Sequence, residues 1–160
     1  MSSRRARSRS DGQILILFAI AGMVAILGLG LVVDGGFALA QKRASQNASD
    51  FAALAGARVI AEWIGGDTTN GTDGNVQLAI TNTLNINGAT PLAFGVAGAP
   101  VYVDKNGAIV PSAGSAASYV GNGSIPTGAV GVHVTSSRTW TPFFLGIAGI
   151  RNWFIASSGH

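Results

Sequence analysis

The chain has 160 residues, of which 48% are hydrophobic, only 11% are charged and none is cysteine. A charged fraction well below the usual quarter, with 23 glycines, points to membrane contact and turns rather than to a charged soluble surface, and the absence of thiols excludes disulfides and thiolate metal sites. The net charge of +3 belongs to a tail carrying Arg4, Arg5, Arg7 and Arg9; from Asp34 onward six basic residues balance six acidic ones, so no second basic patch suits nucleic acid and none is expected as a partner.

The first element is apolar. Ile14 to Val33, "ILILFAIAGMVAILGLGLVV", is a run of twenty residues without a charge. At 1.5 Å per residue it would span roughly 30 Å, the thickness of a hydrocarbon core. Thirteen of the twenty are Leu, Ile, Val or Phe, which favours insertion by about 4 to 8 kcal/mol. Arg4, Arg5, Arg7 and Arg9 precede the run and a neutral chain follows it. Positive charge is retained on the cytoplasmic side, so the N-terminus is expected there and the C-terminal part outside. A cleaved signal peptide is the alternative, with "ALA" at Ala38 to Ala40 as its small-residue site, although the apolar run exceeds the usual h-region. Within the run, Ala21, Ala25 and Gly28 recur at i, i+4 and i+7. Such residues let a second helix approach closely in lipid, but they are also common in membrane helices generally.

The helical pattern continues past Asp34. Phe37, Ala40, Ala44, Ala48, Phe51, Ala55 and Val59 repeat at three and four as a narrow apolar stripe, and Ser45 falls off it. Alanine at these positions favours helix and allows close packing. Gly35 and Gly36 cost about 1 kcal/mol each relative to alanine and mark a candidate kink. Gln46 and Asp50 stand at i and i+4, on one face. A single helix from about Gln13 to about Ile64 is expected.

The stretch "DGQILILFAIAG" continuing through "LGLVVDGGFALAQKRASQNASDFAALAGAR" resembles the N-terminal segment of the Tad family, the TadG-like proteins of Flp pilus assembly. The matching positions are Gly12, Gln13, Asp34, Gly36, Arg43, Gln46, Ala48, Asp50, Ala52, Ala53, Leu54, Ala55, Gly56 and Ala57. Prepilin-like processing after Gly12 would want a glutamate five residues on, where Leu17 stands. In this the chain resembles the TadG type rather than the TadE type. The resemblance implies a bacterial inner-membrane protein with a lipid-embedded anchor, partnered through helix packing by other pilus-assembly membrane proteins.

Beyond the helix, "GGDTTNGTDG" at 65–74 is a run of turn formers. Asp73 is a candidate cap for a helix with Val76, Ile80 and Leu84 inward, stopped at Asn87-Gly88. Asn106-Gly107 between the apolar arms of "VYVDKNGAIV" signals a hairpin. Val130, Val132 and Val134 alternate with Gly131, His133 and Thr135 as a half-buried strand should. "TPFFLGIAGI", with Pro142 early in it, reads as a short helix, and "NWFIASS" as a last strand. "GVHVTSSRTWTPFFLGIAGI" also resembles the later part of TadG-like ectodomains, whose longer members carry more chain beyond it.

The expected fold is therefore α+β, a long N-terminal helix followed by a small exported domain with antiparallel strands. Its organisation reads as a basic cytoplasmic tail (1–12), a transmembrane and stem helix (13–64), a loop (65–74) and the exported domain (75–160). No catalytic arrangement is evident. No His, Cys or acidic cluster near His133 in the sequence completes a metal site, and Asp34 and Asp50 are too far apart along a helix to work as an acid–base pair. "GLGLVV" lacks the third glycine and the preceding strand of a nucleotide fingerprint. No cofactor, metal or small-molecule substrate is expected. The residues singled out are the span ends Ile14 and Val33, the four arginines, and Gln13, Asp34, Gly36, Arg43, Gln46, Ala48, Asp50, Ala55 and Gly56 as family motif and stem packing. Two functions compete: assembly or anchoring of an Flp-type pilus, and an exported, membrane-anchored binding or adhesion module.

Overall fold

An unbroken α-helix, α1, runs from Ser10 to Ile64, 55 residues or about 80 Å at helical rise. A computed structural model describes residues 10–91, 93–95, 99–111, 118–147, 149 and 151–159. Arg4, Arg5, Arg7 and Arg9 lie outside the described residues. The helix passes straight through Gly35 and Gly36 without interruption, and open space surrounds both glycines.

The two halves of α1 differ in what covers them. From Ile14 to Val33 nearly every large apolar side chain is exposed, left uncovered by the rest of the described chain. It is long and apolar enough to cross a membrane. From Ser45 onward one face of the helix is buried beneath the rest of the chain.

A tight loop follows. The Asp67 carboxylate accepts from the amides of Thr69 and Asn70 at 2.9 Å each, an Asx-type turn that competes with continued helix. The next helix, α2, spans Asp73–Ile86. Its N-cap is Thr72 rather than Asp73: Thr72 has the extended backbone a cap requires, and its hydroxyl accepts from Asn75 N at 3.2 Å. Val76, Ile80 and Leu84 are buried as their spacing predicts. The helix stops at Asn87-Gly88, where Gly88 takes φ +64.

Among the described residues four strands complete the fold: β1 (Thr90–Pro91), β2 (Val101–Val103), β3 (Gly131–Trp140) and β4 (Trp153–Gly159). The two-residue β1 has no sequence signal of its own. All three other strands pair antiparallel with β3. The longest ladder runs from Val134 opposite Gly159 to Trp140 opposite Trp153. The expected hairpin forms after β2: Val103 bridges Ile109, and Gly107 at φ +76 turns the chain between them. Between β3 and β4 lies the short helix α3, Phe143–Ile147, directly after Pro142. The result is the α+β arrangement expected from the sequence.

One core serves these elements. Ala48, Ala52, Ala53 and Ile60 of α1 meet Val76, Ile80 and Leu84 of α2, Tyr102 of β2, and Val132 and Val134 of β3. The stem half of α1 is thus part of the packed domain.

Candidate functional site: the two faces of the stem helix

The inward face of the stem is Ser45, Ala48, Ser49, Ala52, Ala53, Gly56 and Ile60, all buried and repeating at three and four. This is not the stripe that alanine periodicity picks out. Of that stripe Ala48 is buried and Ala44, Ala55 and Val59 are half-buried, while Phe37, Ala40 and Phe51 are exposed. The difference is due to the serines. Ser45 is 0% exposed, not a residue of an outer face, because partners from the sheet satisfy its hydroxyl. Ser157 Oγ donates to Ser45 Oγ at 2.6 Å, Ser45 and Ser136 hydroxyls lie 3.4 Å apart, Ser49 and Ser136 hydroxyls 2.7 Å apart, and Ser49 Oγ donates to Ser157 O at 3.2 Å. A closed polar seam of this kind permits burial that unpaired hydroxyls would oppose. Gly56 adds close contact: a Cβ there would come within 2.7 Å of Val132 Cγ2. At the far end of β4, Gly159 lies against the Ser49–Asp50 backbone just as tightly.

Asp34 lies beyond the apolar run, on the same helix, and is only 2% exposed. Its carboxylate accepts from the amides of Phe143 at 2.8 Å, Phe144 at 3.0 Å and Leu145 at 2.8 Å. These are the opening N–H groups of α3, which have no partners within their own helix. Gly30, one turn earlier, receives the Phe144 ring: a Cβ there would lie 2.7 Å from Phe144 Cγ. Asp34 and α3 are therefore built for each other across more than a hundred residues.

The remaining motif residues look outward. At 100° per residue, Arg43, Asp50 and Leu54 lie within about 40° of Gly36 around the helix, with Gln46 about 80° round. Ser45, Ala52 and Gly56 stand opposite. Gly36, Arg43, Gln46, Asp50 and Leu54 are all exposed, Leu54 by 68%. Gln13, Ile14 and Val33 are exposed too. Ala55 is half-buried and borders an open apolar groove of about 1070 Å³ between α1 and α2, lined by Phe51, Leu54, Leu78 and Ala79 among others. Arg58 and Glu62 pair at 3.5 Å on its rim.

Two further fastenings have no signal in the sequence. Asp73, 3% exposed, accepts from Tyr102 Oη at 2.6 Å, Gly121 N at 2.9 Å and Gly123 N at 2.6 Å. Burial, and then this carboxylate, push the Tyr102 phenol far above its ordinary pKa, so it stays a donor. Arg138 of β3 donates to Gln41 Oε1 of α1 at 3.0 Å and to the Asn87 carbonyl that ends α2. Their partners lie tens of residues away, so the cap position that marks Asp73 in the sequence does not disclose what it binds. Among the described residues no group of three or more His, Cys, Asp or Glu side chains is arranged to hold a metal ion.

The molecule so far is an α+β protein built on one long helix, its first half apolar and uncovered, its second half carrying a packed domain on one face. Residues 12–59 match the Tad family model, described as "Putative Flp pilus-assembly TadE/G-like". The matched region takes in the apolar run, Asp34 and both faces of the stem up to Val59. No curated protein and no solved structure matches the chain.

Proposed function

We propose that this is a non-enzymatic, single-pass membrane protein that helps assemble or anchor an Flp-type pilus. Residues 14–33 are the anchor, the N-terminal arginines keep that end cytoplasmic, and residues 75–160 form a domain on the outer side of the inner membrane. The outward face of the stem, Gly36, Arg43, Gln46, Asp50 and Leu54, packs against other assembly proteins. The observation that carries this reading is the family match over residues 12–59, among whose motif residues Gly36, Arg43 and Gln46 are exposed on the face of the stem opposite the packed domain. The Asp34 and Gly30 contacts with α3 support retention of the anchor, since cleavage after Ala40 would remove both from the folded domain.

A strain lacking the protein should lose surface pili while its secretion ATPase is still made, and complementation should restore them. Normal pili in that strain would overturn the proposal. A reporter active only outside the cytoplasm, fused after Gly65, should give signal; silence with good expression would reverse the orientation. The groove between α1 and α2 favours the second reading, an exported binding module. It gains ground if pili persist and groove substitutions such as Leu78→Glu abolish surface attachment.

A further inference from the structure

The depth at which α3 sits is set by α1. Phe144 packs on Gly30, three residues inside the end of the apolar run at Val33, or about 4.5 Å by helical rise. Asp34 holds the amides of residues 143–145 on the next turn. The helix is therefore fastened beside the last turn of the apolar segment. Its outward side chains are Phe143 and Ile147, 75% and 81% exposed, at i and i+4 and so on one side. Leu39 and Phe154 are exposed as well. One turn further along α1 stands an aromatic cluster: Phe37 and Trp140 edge to face at 5.2 Å, Trp140 and Trp153 at 5.7 Å. Apolar side chains in this order, with aromatic rings where apolar gives way to polar, match a bilayer boundary.

We propose that α3 is a second membrane contact. The α3 helix lies in the leaflet that holds the C-terminal end of the span, with Phe143 and Ile147 among the acyl chains and Phe37, Trp140 and Trp153 at headgroup level. The inference rests on the reading of residues 14–33 as a membrane span. It also accounts for Asp34. A carboxylate at the edge of the hydrocarbon is costly, and so are free helix-end amides. Here each satisfies the other, so the opening amides of α3 reach the interface already paired. Two attachments hold the domain in one orientation on the membrane, and so fix the direction in which the outward stem face points.

The chain has no native cysteine, so single cysteines can be introduced at exposed positions and labelled with the fluorophore NBD. The variants are Val24→Cys in the span, Phe143→Cys and Ile147→Cys on α3, and Leu78→Cys on α2. Each full-length protein is placed in vesicles of phosphatidylcholine and phosphatidylglycerol bearing doxyl quenchers near the headgroup or near the methyl end of the acyl chain. Val24 should lose most of its fluorescence to the deep quencher. Phe143 and Ile147 should lose most of theirs to the shallow one, and Leu78 should lose little to either. Quenching of Val24 with Phe143 and Ile147 behaving like Leu78 would overturn the second contact and leave the span standing. An unquenched Val24 would overturn the span itself. If the α3 labels resist both doxyl lipids and aqueous iodide, another protein surface covers α3, and the lipid assignment fails.

Discussion

Two buried carboxylates, Asp34 and Asp73, tie distant parts of the chain through backbone amides. Each replaces water around groups that the fold would otherwise leave unpaired, which is where a single polar substitution matters most. Tyr102 donates to Asp73 from a fully buried position. Tyr102→Phe removes that donor and should lower the unfolding free energy of the detergent-solubilised protein by about 1–3 kcal/mol. Folding raises the Tyr102 pKa. Its contribution is therefore complete below the unfolded value near pH 10 and is lost as pH rises above it. Denaturant titrations at pH 8 and pH 11 should show a steeper loss for the native protein than for Tyr102→Phe. Equal stability of the two proteins at pH 8 would mean that the bond contributes nothing.

Between elements, the joint that matters is the serine seam joining α1 to β3 and β4. Its hydroxyls satisfy one another, so removing one should cost more than removing all. Ser45→Ala leaves the Ser157 hydroxyl without its acceptor and should destabilise the protein by about 1–3 kcal/mol, whereas Ala at 45, 49, 136 and 157 together should come closer to neutral. A quadruple variant destabilised by four times the single one would show independent, additive bonds instead. The seam also marks what the sequence could not disclose. Local signals were legible: the apolar run, the 55-residue helix, the Asn106-Gly107 turn, the valine alternation of β3 and the short helix after Pro142. Each depends on neighbours a few residues apart. Ser45 reads as polar and therefore exposed, and only Ser136, 91 residues later, and Ser157 decide otherwise. Asp34 was legible as a family position, but its task depends on Phe143, 109 residues away. The alanine stripe missed the buried face by about one position, because that face runs through Ser45, Ser49, Ala52, Ala53 and Gly56 and is set by where β3, β4 and α2 lie rather than by local spacing.

For the molecule as a whole, α1 is at once anchor, core element and outward surface. The inward face is occupied by the chain's own sheet and by α2, which leaves the opposite face as the stem surface free for partners among the described residues. Photo-cross-linking in the native membrane tests that division of the helix. A photoreactive residue would replace Gly36, Arg43 or Gln46 on the outward face, Leu78 in the groove, or Lys105 on the distant hairpin. The three outward positions should cross-link to other pilus-assembly membrane proteins, and Lys105 should give none. Cross-links from Leu78 alone, with the outward positions silent, would contradict it and move the function to the groove.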